Sequence, residues 1–435
     1  MSRVWPASAV FESDTLVSVG GVAAAALAAE HGTPLYVVDR AEVLARVAAY
    51  RAAFGPDIDI TYAAKALCVV GVLQLLASHG LQIDVASAGE LHTAVIAGVP
   101  PTRMVMHGNN KSAEELRAAV TLGVGRVMVD NVDELDRLAA VAADAGAVVD
   151  VVLRITPGVL AETHAFVATG QDDVKFGLTL TGGLAAEAVR RSLGHSSLRL
   201  RGIHCHIGSQ ISATAGWAAA AQRMVALLAQ IRESHGVELD ELHLGGGLGI
   251  AYTADEATLD VGVYAEALRG AVGLACAAAG LAVPRLSVEP GRSLVGTAGL
   301  TLYTVGTVKQ VPGVRTYAAV DGGMSDNLRP ALYGSRYTVV PAGPPRRAAA
   351  QHAVTVAGKH CETGDVLARD VGLPVDLAAG DLLAVAATGA YGYSMASNYN
   401  RLPRPAMVLV TDGASQVLVR RETLDDLVRN DIPLP

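Results

Sequence analysis

The feature that most constrains the fold is a repeat of short β-branched runs separated by alanine-rich stretches of helical length, such as Glu114–Thr121, Val132–Ala145 and Trp217–Glu233. Alternating strands and helices imply a parallel sheet, and eight repeats predict an α/β fold, a closed (β/α)8 TIM-like barrel. An open doubly wound sheet is the alternative. The eight strand candidates are Ile58–Ala64, Leu81–Ala86, Met104–His107, Arg126–Asp130, Val148–Ile155, Leu200–His206, Glu241–Leu244 and Leu286–Glu289.

The pattern changes after Gly296, where strand-like runs alternate with turn residues and helical pattern is scarce until Thr423–Val428. Asp412 and Gly413 lie between two such runs and are typical of a tight hairpin. We therefore predict a second, mostly-β domain of barrel or sandwich type. The expected parts are an N-terminal segment (1–34) that joins the β domain, the barrel (35–295) and the C-terminal β domain (296–435).

Composition limits the classes of partner. Hydrophobic residues make up 51% of the 435 residues and charged residues 17%, against a usual charged share of about 25%, which excludes a disordered chain. The net charge is −8 and Lys and Arg form no runs, so we expect neither nucleic acid nor a membrane as a partner.

The cysteines and the N-terminus favour a cytoplasmic protein. The four cysteines are scattered and form no CxxC pair, which argues against a disulfide scaffold or a structural zinc site. Glu12 and Asp14 stand where a signal peptide would carry positive charge. No run reaches the ~18 apolar residues of a spanning helix.

Polar, reactive residues recur at the carboxyl ends of all eight predicted strands, where the active sites of such barrels lie. This recurrence favours the barrel over the open sheet. The strand ends carry Lys65, Asp84, His107, Asp130, Arg154, the group His204, His206 and Ser209, the glycines Gly245, Gly246 and Gly247, and the pair Glu289 and Arg292.

The chemistry of these ends points to a phosphorylated cofactor. Lys65 is either a snorkelling lysine or a Schiff-base amine, and Gly245–Gly247 is either a tight turn or a phosphate cradle. Neither GxGxxG nor GxxxxGK[ST] occurs, which argues against dinucleotides and nucleoside triphosphates. A lysine, a histidine, the carboxylate Glu289 and a phosphate cradle together are the components of a pyridoxal 5'-phosphate site.

Two histidines of the sixth strand allow another interpretation. His204 and His206 could ligate a metal, but no nearby carboxylate or cysteine completes a site, and we predict none. We expect His206 to stack on a planar ring and His204 to be a core residue.

At this point the sequence resembles a known family, the diaminopimelate decarboxylases, which are alanine-racemase-like (fold type III) pyridoxal phosphate enzymes. The resemblance covers the chain from about Gly32 to Asp425, with the motifs in the same order. The motifs are YAAKAL, HGNNKS, KFGL, GIHCHIGSQI, HLGGGLGI, VEPGR, VDGGMSDNLRPALYG, GKHCETGD and GAYGYSMASNYN.

The resemblance implies the decarboxylation of meso-2,6-diaminopimelate to L-lysine and CO2 by a homodimer with shared active sites. Lys65 would form the Schiff base, His206 would stack on the cofactor ring and Cys361 would donate a proton from the partner subunit. The other implied cofactor-binding residues are Asp84, Ser209, Gly245, Gly246, Gly247, Glu289, Pro290, Gly291, Arg292 and Tyr391. The implied substrate-binding residues are Arg292, Arg329, Tyr333, Glu362 and Tyr391.

Elementary chemistry agrees with the implied substrate. Arg292 and Arg329 suit a distal carboxylate and Glu362 suits a distal ammonium group. Without the resemblance, Cys361 would be interpreted as a buried apolar thiol. Two departures from the family, at Ala165 and from Asn400 onward, are expected to affect local packing and to touch none of the site residues.

Three hypotheses remain at this stage. The first is a diaminopimelate decarboxylase. The second is a related fold type III decarboxylase of another basic amino acid, against which the paired arginines argue. The third is a non-catalytic regulatory homologue, which would be expected to have lost Lys65 or Cys361.

Overall fold

A computed structural model of the chain describes residues 3–159, 175–344 and 350–435. The chain divides into two compact units. The barrel unit consists of Val47–Gly249 and Thr258–Gly291, and the β unit of Met1–Arg46, Ile250–Ala257 and Arg292–Pro435. The departure at Ala165 lies outside the described residues.

The barrel unit contains a closed ring of eight parallel strands, because the fifth strand pairs with both the fourth and the sixth. This confirms the predicted barrel and excludes the open sheet. A short additional strand, Leu178–Thr179, pairs in parallel with the fifth strand. The eight strands are Asp59–Ala63, Gln82–Val85, Met104–Met106, Arg126–Val129, Val149–Thr156, Leu198–His204, Glu241–His243 and Arg285–Val288.

The strands are short and apolar because a parallel sheet in a barrel is covered on both faces. Met104–Met106 is buried at every residue. Val105, Met128 and Val152, from three successive strands, pack together as a cluster of fully buried side chains. The ends of the strands, by contrast, are where the chain changes from apolar to polar.

The barrel helices begin at residues that cap them. The side chains of Ser87 and Asn131 each accept a hydrogen bond from the backbone N–H three residues later, and Ser112 forms a capping box with Glu115. The helices after strands one to seven are Val70–Ser78, Ala88–Ile96, Ala113–Leu122, Val132–Asp144, Leu184–Gly194, Ala215–His235 and Val261–Ala279. Arg40–Phe54 precedes the first strand.

One helix of the described residues, Val261–Ala279, is long and apolar enough to cross a membrane by length and composition alone. It lies between the seventh and eighth strands of the barrel and buries one stripe that includes Tyr264, Leu268 and Val272. Glu266 interrupts its apolar sequence. Core helices of soluble proteins also pass this test of length and composition, so one such helix is weak evidence for a membrane span.

The β unit is built on a sheet of twelve strands. Most neighbours are antiparallel, and three pairs are parallel. The strands are Val10–Glu12, Thr15–Val19, Val22–Ala23, Leu35–Asp39, Gly299–Val311, Arg315–Val320, Val339–Ala342, Gln351–Ala357, Val366–Pro374, Leu382–Val385, Ala406–Thr411 and Ala414–Val419. Its short helices are Ala24–His31, Arg292–Val295, Arg329–Tyr333 and Leu424–Val428.

The predicted hairpin is present: Ala406–Thr411 pairs with Ala414–Val419 in antiparallel register. Asp412 and Gly413 both have positive φ, 49° and 82°, as a two-residue hairpin turn of this hand requires. The N-terminal strands Val10–Glu12 and Thr15–Val19 pair within the same sheet.

The units depart from the expected boundaries at two places. Leu35–Asp39, expected in the barrel, pairs instead with Gly299–Val311 and Ala406–Thr411 of the β sheet. Ile250–Ala257 also belongs to the β unit. Both segments contain buried apolar residues, such as Val37 and Tyr252, and an apolar residue does not indicate which of two cores will bury it.

Candidate active site

Glu289 lies at the mouth of the barrel, directly after the eighth strand, Arg285–Val288. Its backbone N–H donates to the carbonyl of Gly245, 2.7 Å away, and a Cβ on Gly246 would collide with the carbonyl oxygen of Glu289. The side chain is only 7% exposed. The glycine cluster after the seventh strand therefore lets the two strand ends approach each other.

Two histidines from other strands face the Glu289 carboxylate. His204 Nε2 lies 3.0 Å from Oε2, and His107 Nε2 lies 3.3 Å from Oε1. Burial opposes the ionisation of Glu289, but the two histidines outweigh it and hold the pKa well below its ordinary value. The pKa of His204 is lowered to about 4, chiefly by burial. At neutral pH a buried anion thus faces a neutral imidazole.

A second carboxylate, that of Asp84, and the lysine Lys65 lie at the same end of the barrel. Asp84 is the third residue of the second strand, Gln82–Val85, and its Oδ1 lies 3.9 Å from His107 Nε2. Its pKa is raised, first by burial, with Glu289 adding to the rise and His107 and Lys65 opposing it. Lys65 follows the first strand in a tight helical turn between buried Ala64 and Ala66, and its own side chain is exposed.

His206 lies beside the glycine cradle. The backbone N–H of Gly246 donates to its Nδ1 at 3.3 Å, so that nitrogen carries no proton. Burial, with the charges of Lys65 and Arg154, holds the pKa of His206 well below its usual value. The ring is neutral at neutral pH and can lie against a cationic heteroaromatic ring without repelling it.

The glycines cannot be replaced without moving backbone. A Cβ on Gly245, at φ 63°, would lie 2.6 Å from the carbonyl of Cys205, and one on Gly247, at φ 113°, would collide with the carbonyl of Gly208. This contact brings the cradle against the turn that carries Ser209. A tightly turning backbone without side chains is what a backbone anion site needs.

The two residues after Glu289 pack on the lysine turn. The carbonyl of Pro290 accepts from the N–H of Ala63 at 3.1 Å, and a Cβ on Gly291 would meet the Cβ atoms of Ala63 and Ala66 at 3.1 Å. The structure therefore brings together the barrel residues that the sequence selected: Lys65, Asp84, His206, Ser209, Gly245, Gly246, Gly247, Glu289, Pro290 and Gly291.

The tertiary structure corrects the expectation that no carboxylate lies near the histidines of the sixth strand. Donor atoms of His107, His204 and Glu289 all lie within 4.8 Å of one another, so the donor set of a metal site is present among the described residues. The two Nε2 atoms face separate oxygens of one carboxylate, and the contact of His204 has the geometry of a hydrogen bond. His204 is thus more than the satisfied core residue that was expected.

In the β unit, buried arginines are surrounded by tyrosines. Arg292 is 5% exposed, donates to the hydroxyl of Tyr252 and lies over the rings of Tyr252 and Tyr391, at 5.8 Å and 4.7 Å from their centroids. Arg329 is 6% exposed and lies over the same two rings, at 5.3 Å and 6.0 Å, and over Tyr333 at 5.4 Å. Arg292, Arg329, Tyr333 and Tyr391 therefore form one cluster.

The partners of Arg329 are neutral. Its Nε donates to the hydroxyl of Tyr337 at 2.9 Å and its Nη2 to Ser335 at 3.2 Å. Within the part of the chain that the structure describes, no carboxylate lies at ion-pair distance from this guanidinium. A buried cation held only by hydroxyl groups has charge left for an anionic ligand.

Cys361 and Glu362 lie on an exposed turn of the β unit, after Gln351–Ala357. The thiol is exposed, so the interpretation of Cys361 as a buried thiol is wrong. Its backbone N–H donates to Oδ1 of Asn400 at 2.9 Å. The expectation that the departure beginning at Asn400 touches no site residue is therefore also wrong.

No role was assigned from the sequence to several residues of these clusters. His107 and Arg154 were noticed as strand ends but were given no role, and in the structure Arg154 lies 3.7 Å from Asp130 and over the ring of Phe176 at 4.3 Å. Tyr252 carried no signal at all. An aromatic residue in an irregular segment becomes meaningful only when the fold brings an arginine against it.

The barrel mouth fits pyridoxal phosphate. Oε1 of Glu289 and Oδ1 of Asp84 are buried without a hydrogen-bond partner among the described residues, which leaves acceptors for a cationic ring. The N–H of Gly246 already donates to His206, and the missing side chains of the glycine cradle let a phosphate approach the rest of its backbone. The exposed Lys65 is available to an aldehyde.

Comparison with known proteins agrees with this fit. Residues 40–296 match the family described as "Pyridoxal-dependent decarboxylase, pyridoxal binding domain". The chain is 48% identical to the diaminopimelate decarboxylase of Bacillus subtilis, over 96% of this chain and 95% of that one. It is 50% identical to that of Actinosynnema pretiosum, over 99% and 95% of the two chains.

A solved structure, that of the diaminopimelate decarboxylase of M. jannaschii in complex with L-lysine, superimposes with a TM-score of 0.92 at 33% identity, covering 99% of this chain and 98% of the other. The chain belongs to the pyridoxal-dependent decarboxylases, and within that class it belongs to the diaminopimelate decarboxylase family. Its cofactor is pyridoxal phosphate.

Proposed function

We propose that this protein decarboxylates meso-2,6-diaminopimelate to L-lysine and CO2, the reaction named by its relatives. The observation that carries the proposal is the pair of buried guanidinium groups, Arg292 and Arg329, in a chain whose barrel holds the elements of a pyridoxal phosphate site. Bound pyridoxal phosphate supplies an electron sink for the electron pair that remains on carbon when CO2 leaves.

The barrel residues hold that sink and set its charge. Lys65 would offer the amine that attaches the cofactor, and the backbone of Gly245–Gly247 with Ser209 would hold its phosphate. Glu289 would present an anion to the ring nitrogen, which would keep that nitrogen protonated and strengthen the withdrawal of electrons. The neutral ring of His206 would lie against the cofactor ring, and Asp84 would balance the charge of Lys65.

The arginine cluster selects the substrate. A distal amino-acid group carries a carboxylate, which suits the bidentate donors of Arg292 and Arg329, and Tyr333 and Tyr391 line the same cluster. Simple diamino acids such as lysine and ornithine have no distal carboxylate. Binding them there would leave the buried charge of Arg329, whose described partners are hydroxyl groups, without an anion, which costs several kcal/mol.

The carbon that loses CO2 must gain a proton from a positioned acid. We assign this to Cys361 of a second copy of the chain, with Glu362 beside it for the distal ammonium group. Both side chains are exposed on one copy, as groups that serve another subunit must be. The protein is then a homodimer in which each subunit contributes Cys361 and Glu362 to the active site of the other.

We also place the reaction in the cytoplasm, because all four cysteines are free thiols and a reducing compartment keeps them so. Diaminopimelate and its product lysine are small metabolites, so no nucleic acid or membrane is required as a partner.

The first experiment measures CO2 release from meso-diaminopimelate, L-lysine and L-ornithine in parallel, with added pyridoxal phosphate. Release from diaminopimelate alone, with L-lysine as the product, supports the proposal. Release from another substrate would reassign the arginine cluster. No release from any of the three by enzyme that has bound its cofactor would favour a regulatory homologue.

The Arg329→Ala variant gives the residue-level test. Its KM for diaminopimelate should rise about 10- to 100-fold, the cost of one charge-assisted contact, with the absorbance of the bound cofactor unchanged. Arg336→Ala is the matched control, because Arg336 is exposed and pairs with Asp255 at 2.7 Å. An unchanged KM in Arg329→Ala would remove Arg329 from the substrate site.

Mixed subunits test the shared site. The Lys65→Ala and Cys361→Ala variants should each be nearly inactive, and refolding them together in equal amounts should restore about one quarter of wild-type activity, since half of the dimers then contain one intact site. Failure to regain activity would place Cys361 in the site of its own chain.

A further inference from the structure

The main chain and the side chain of Glu289 are held by different contacts. The main chain is held by a hydrogen bond to the Gly245 carbonyl at 2.7 Å and by the close approach of Gly246. These contacts leave the side-chain torsions free. The orientation of the carboxylate is therefore decided by what its two oxygens touch.

The two oxygens differ. Oε2 is hydrogen-bonded to His204 Nε2 at 3.0 Å. Oε1 lies 3.3 Å from His107 Nε2 without the alignment of a hydrogen bond, and neither of those two atoms has a hydrogen-bond partner among the described residues. One oxygen is anchored, and the other retains its acceptor capacity.

The proton of His204 can be assigned from its surroundings. The ring is neutral at pH 7 because burial lowers its pKa to about 4, so it carries one proton. A bare Nε2 lone pair facing a carboxylate oxygen at 3.0 Å would be repulsive, which places that proton on Nε2. Nδ1 is then a buried acceptor without a partner in the described part of the chain.

We propose that His204 is the positioning residue of the cofactor site: by donating its Nε2–H to Oε2, it turns Oε1 of Glu289 toward the nitrogen of the pyridoxal ring. The inference rests on the proposed role of Glu289. His204 touches neither cofactor nor substrate in this scheme and acts through the carboxylate alone.

A matched contact exists on the neighbouring strand. His204 and His243 are paired residues of the sixth and seventh strands. His243 Nε2 lies 3.1 Å from Oε2 of Glu241, and both residues are buried. Removing His243 therefore removes the same kind of contact in the same barrel, from a carboxylate that is not at the cofactor site.

The test compares two ligands of the cofactor-free enzyme: pyridoxal 5'-phosphate, and its carbocyclic analogue with C–H in place of the ring nitrogen. The measured quantity is the ratio of their dissociation constants, obtained by absorbance titration. His204→Leu should lower the preference for pyridoxal phosphate by about 10- to 100-fold, the range found when a residue that orients a ligating group is lost. Glu289→Gln should lower it at least as much, and His243→Leu should leave it unchanged.

A role of His204 in packing alone predicts that both ligands weaken by the same factor, and that result would overturn the inference. His204→Gln keeps an N–H donor and should retain part of the preference; if His204→Leu does not fold, loss of the whole preference in His204→Gln overturns it instead. An unchanged preference in Glu289→Gln would show that the assignment of Glu289 to the ring nitrogen has failed. None of these outcomes depends on which amino acid is decarboxylated.

Discussion

The two ends of the barrel differ in how the oxygens of their buried carboxylates are hydrogen-bonded. At the base, where the strands begin, all four side-chain oxygens of Asp150 and Glu241 accept hydrogen bonds. At the mouth, where they end, one oxygen each of Asp84, Asp130 and Glu289 is buried without a partner among the described residues.

The pKa values follow the same division. Burial tends to raise the pKa of Glu241, but hydrogen bonds from Arg126 and His243 outweigh it and lower that pKa far below its ordinary value. Burial raises the pKa of Asp84, and its neighbours do not fully offset this. The base is arranged for stability, and the mouth bears a cost in stability so that acceptors remain available to a ligand.

The largest expected effect is at the mouth. Lys65→Ala should reduce turnover at least ~10⁴-fold, as removal of a covalent catalyst does, and should abolish the visible absorption of lysine-bound pyridoxal. The free energy of unfolding should change by no more than about 0.5 kcal/mol because the side chain is exposed. Absorption spectra and urea unfolding measure both quantities.

Lys309→Ala is the control for this experiment, since Lys309 is an exposed lysine on a strand of the β sheet. It should retain both absorption and turnover. A visible band that survives in Lys65→Ala would sink the assignment of the Schiff-base amine.

The base should show the reverse pattern. Arg126 binds Glu241 at 2.5 Å and Asp150 at 3.0 Å, and its side chain is 26% exposed. Arg126→Ala should therefore destabilise the protein by about 3 kcal/mol, the lower part of the range for breaking a buried ion pair. Turnover per folded molecule should be unchanged.

Arg199→Ala serves as the comparison, because Arg199 also binds Asp150 but is 59% exposed. We expect a loss below about 1 kcal/mol, as for a surface pair. If Arg126→Ala cost no more than Arg199→Ala, the base would not be the stabilising end.

A conservative substitution at the mouth should separate stability from function most directly. Asp84→Asn removes a buried charge that has an unpartnered oxygen, so the cofactor-free enzyme should gain about 1 kcal/mol in its free energy of unfolding while turnover falls. Asp150→Asn at the base should instead lose stability. A stability loss in Asp84→Asn equal to that in Asp150→Asn would remove the contrast between the two ends.

The smallest expected effect is on the stability of the protein at acidic pH. The folded pKa of Glu241 is depressed, so its contribution to stability is fully present above its ordinary pKa of 4.5 and declines as the pH falls below that value. Glu241→Gln should therefore lose less stability than the wild type between pH 5 and pH 3, measured by urea unfolding at each pH. Parallel pH profiles for the two proteins would contradict the pKa shift.

Much of the fold could be predicted because its signals are local. The short β-branched runs define all eight barrel strands, and Asp412 with Gly413 defines a hairpin through two positive φ angles. The assignment of Leu35–Asp39 could not be made in this way. Its residues suit either sheet, and its partners lie far away in the chain.

The residues of the site also divide into those with a local sequence signal and those without one. Lys65, Glu289 and the glycines were found because a reactive residue at a strand end and a missing side chain are visible in one segment. The contact of His204 with Glu289 joins residues 85 positions apart, and Tyr252 meets Arg292 across 40 positions. No pattern within either segment records such a pairing.

The sequence by itself therefore determined the barrel, the reactive strand ends and the family, because strand propensity, helix capping and backbone freedom act over a few residues. Only the tertiary structure decided which carboxylates are satisfied and which remain open, and which core takes Leu35–Asp39 and Ile250–Ala257. Those outcomes depend on burial and on contacts between distant segments, which exist only once the chain has folded.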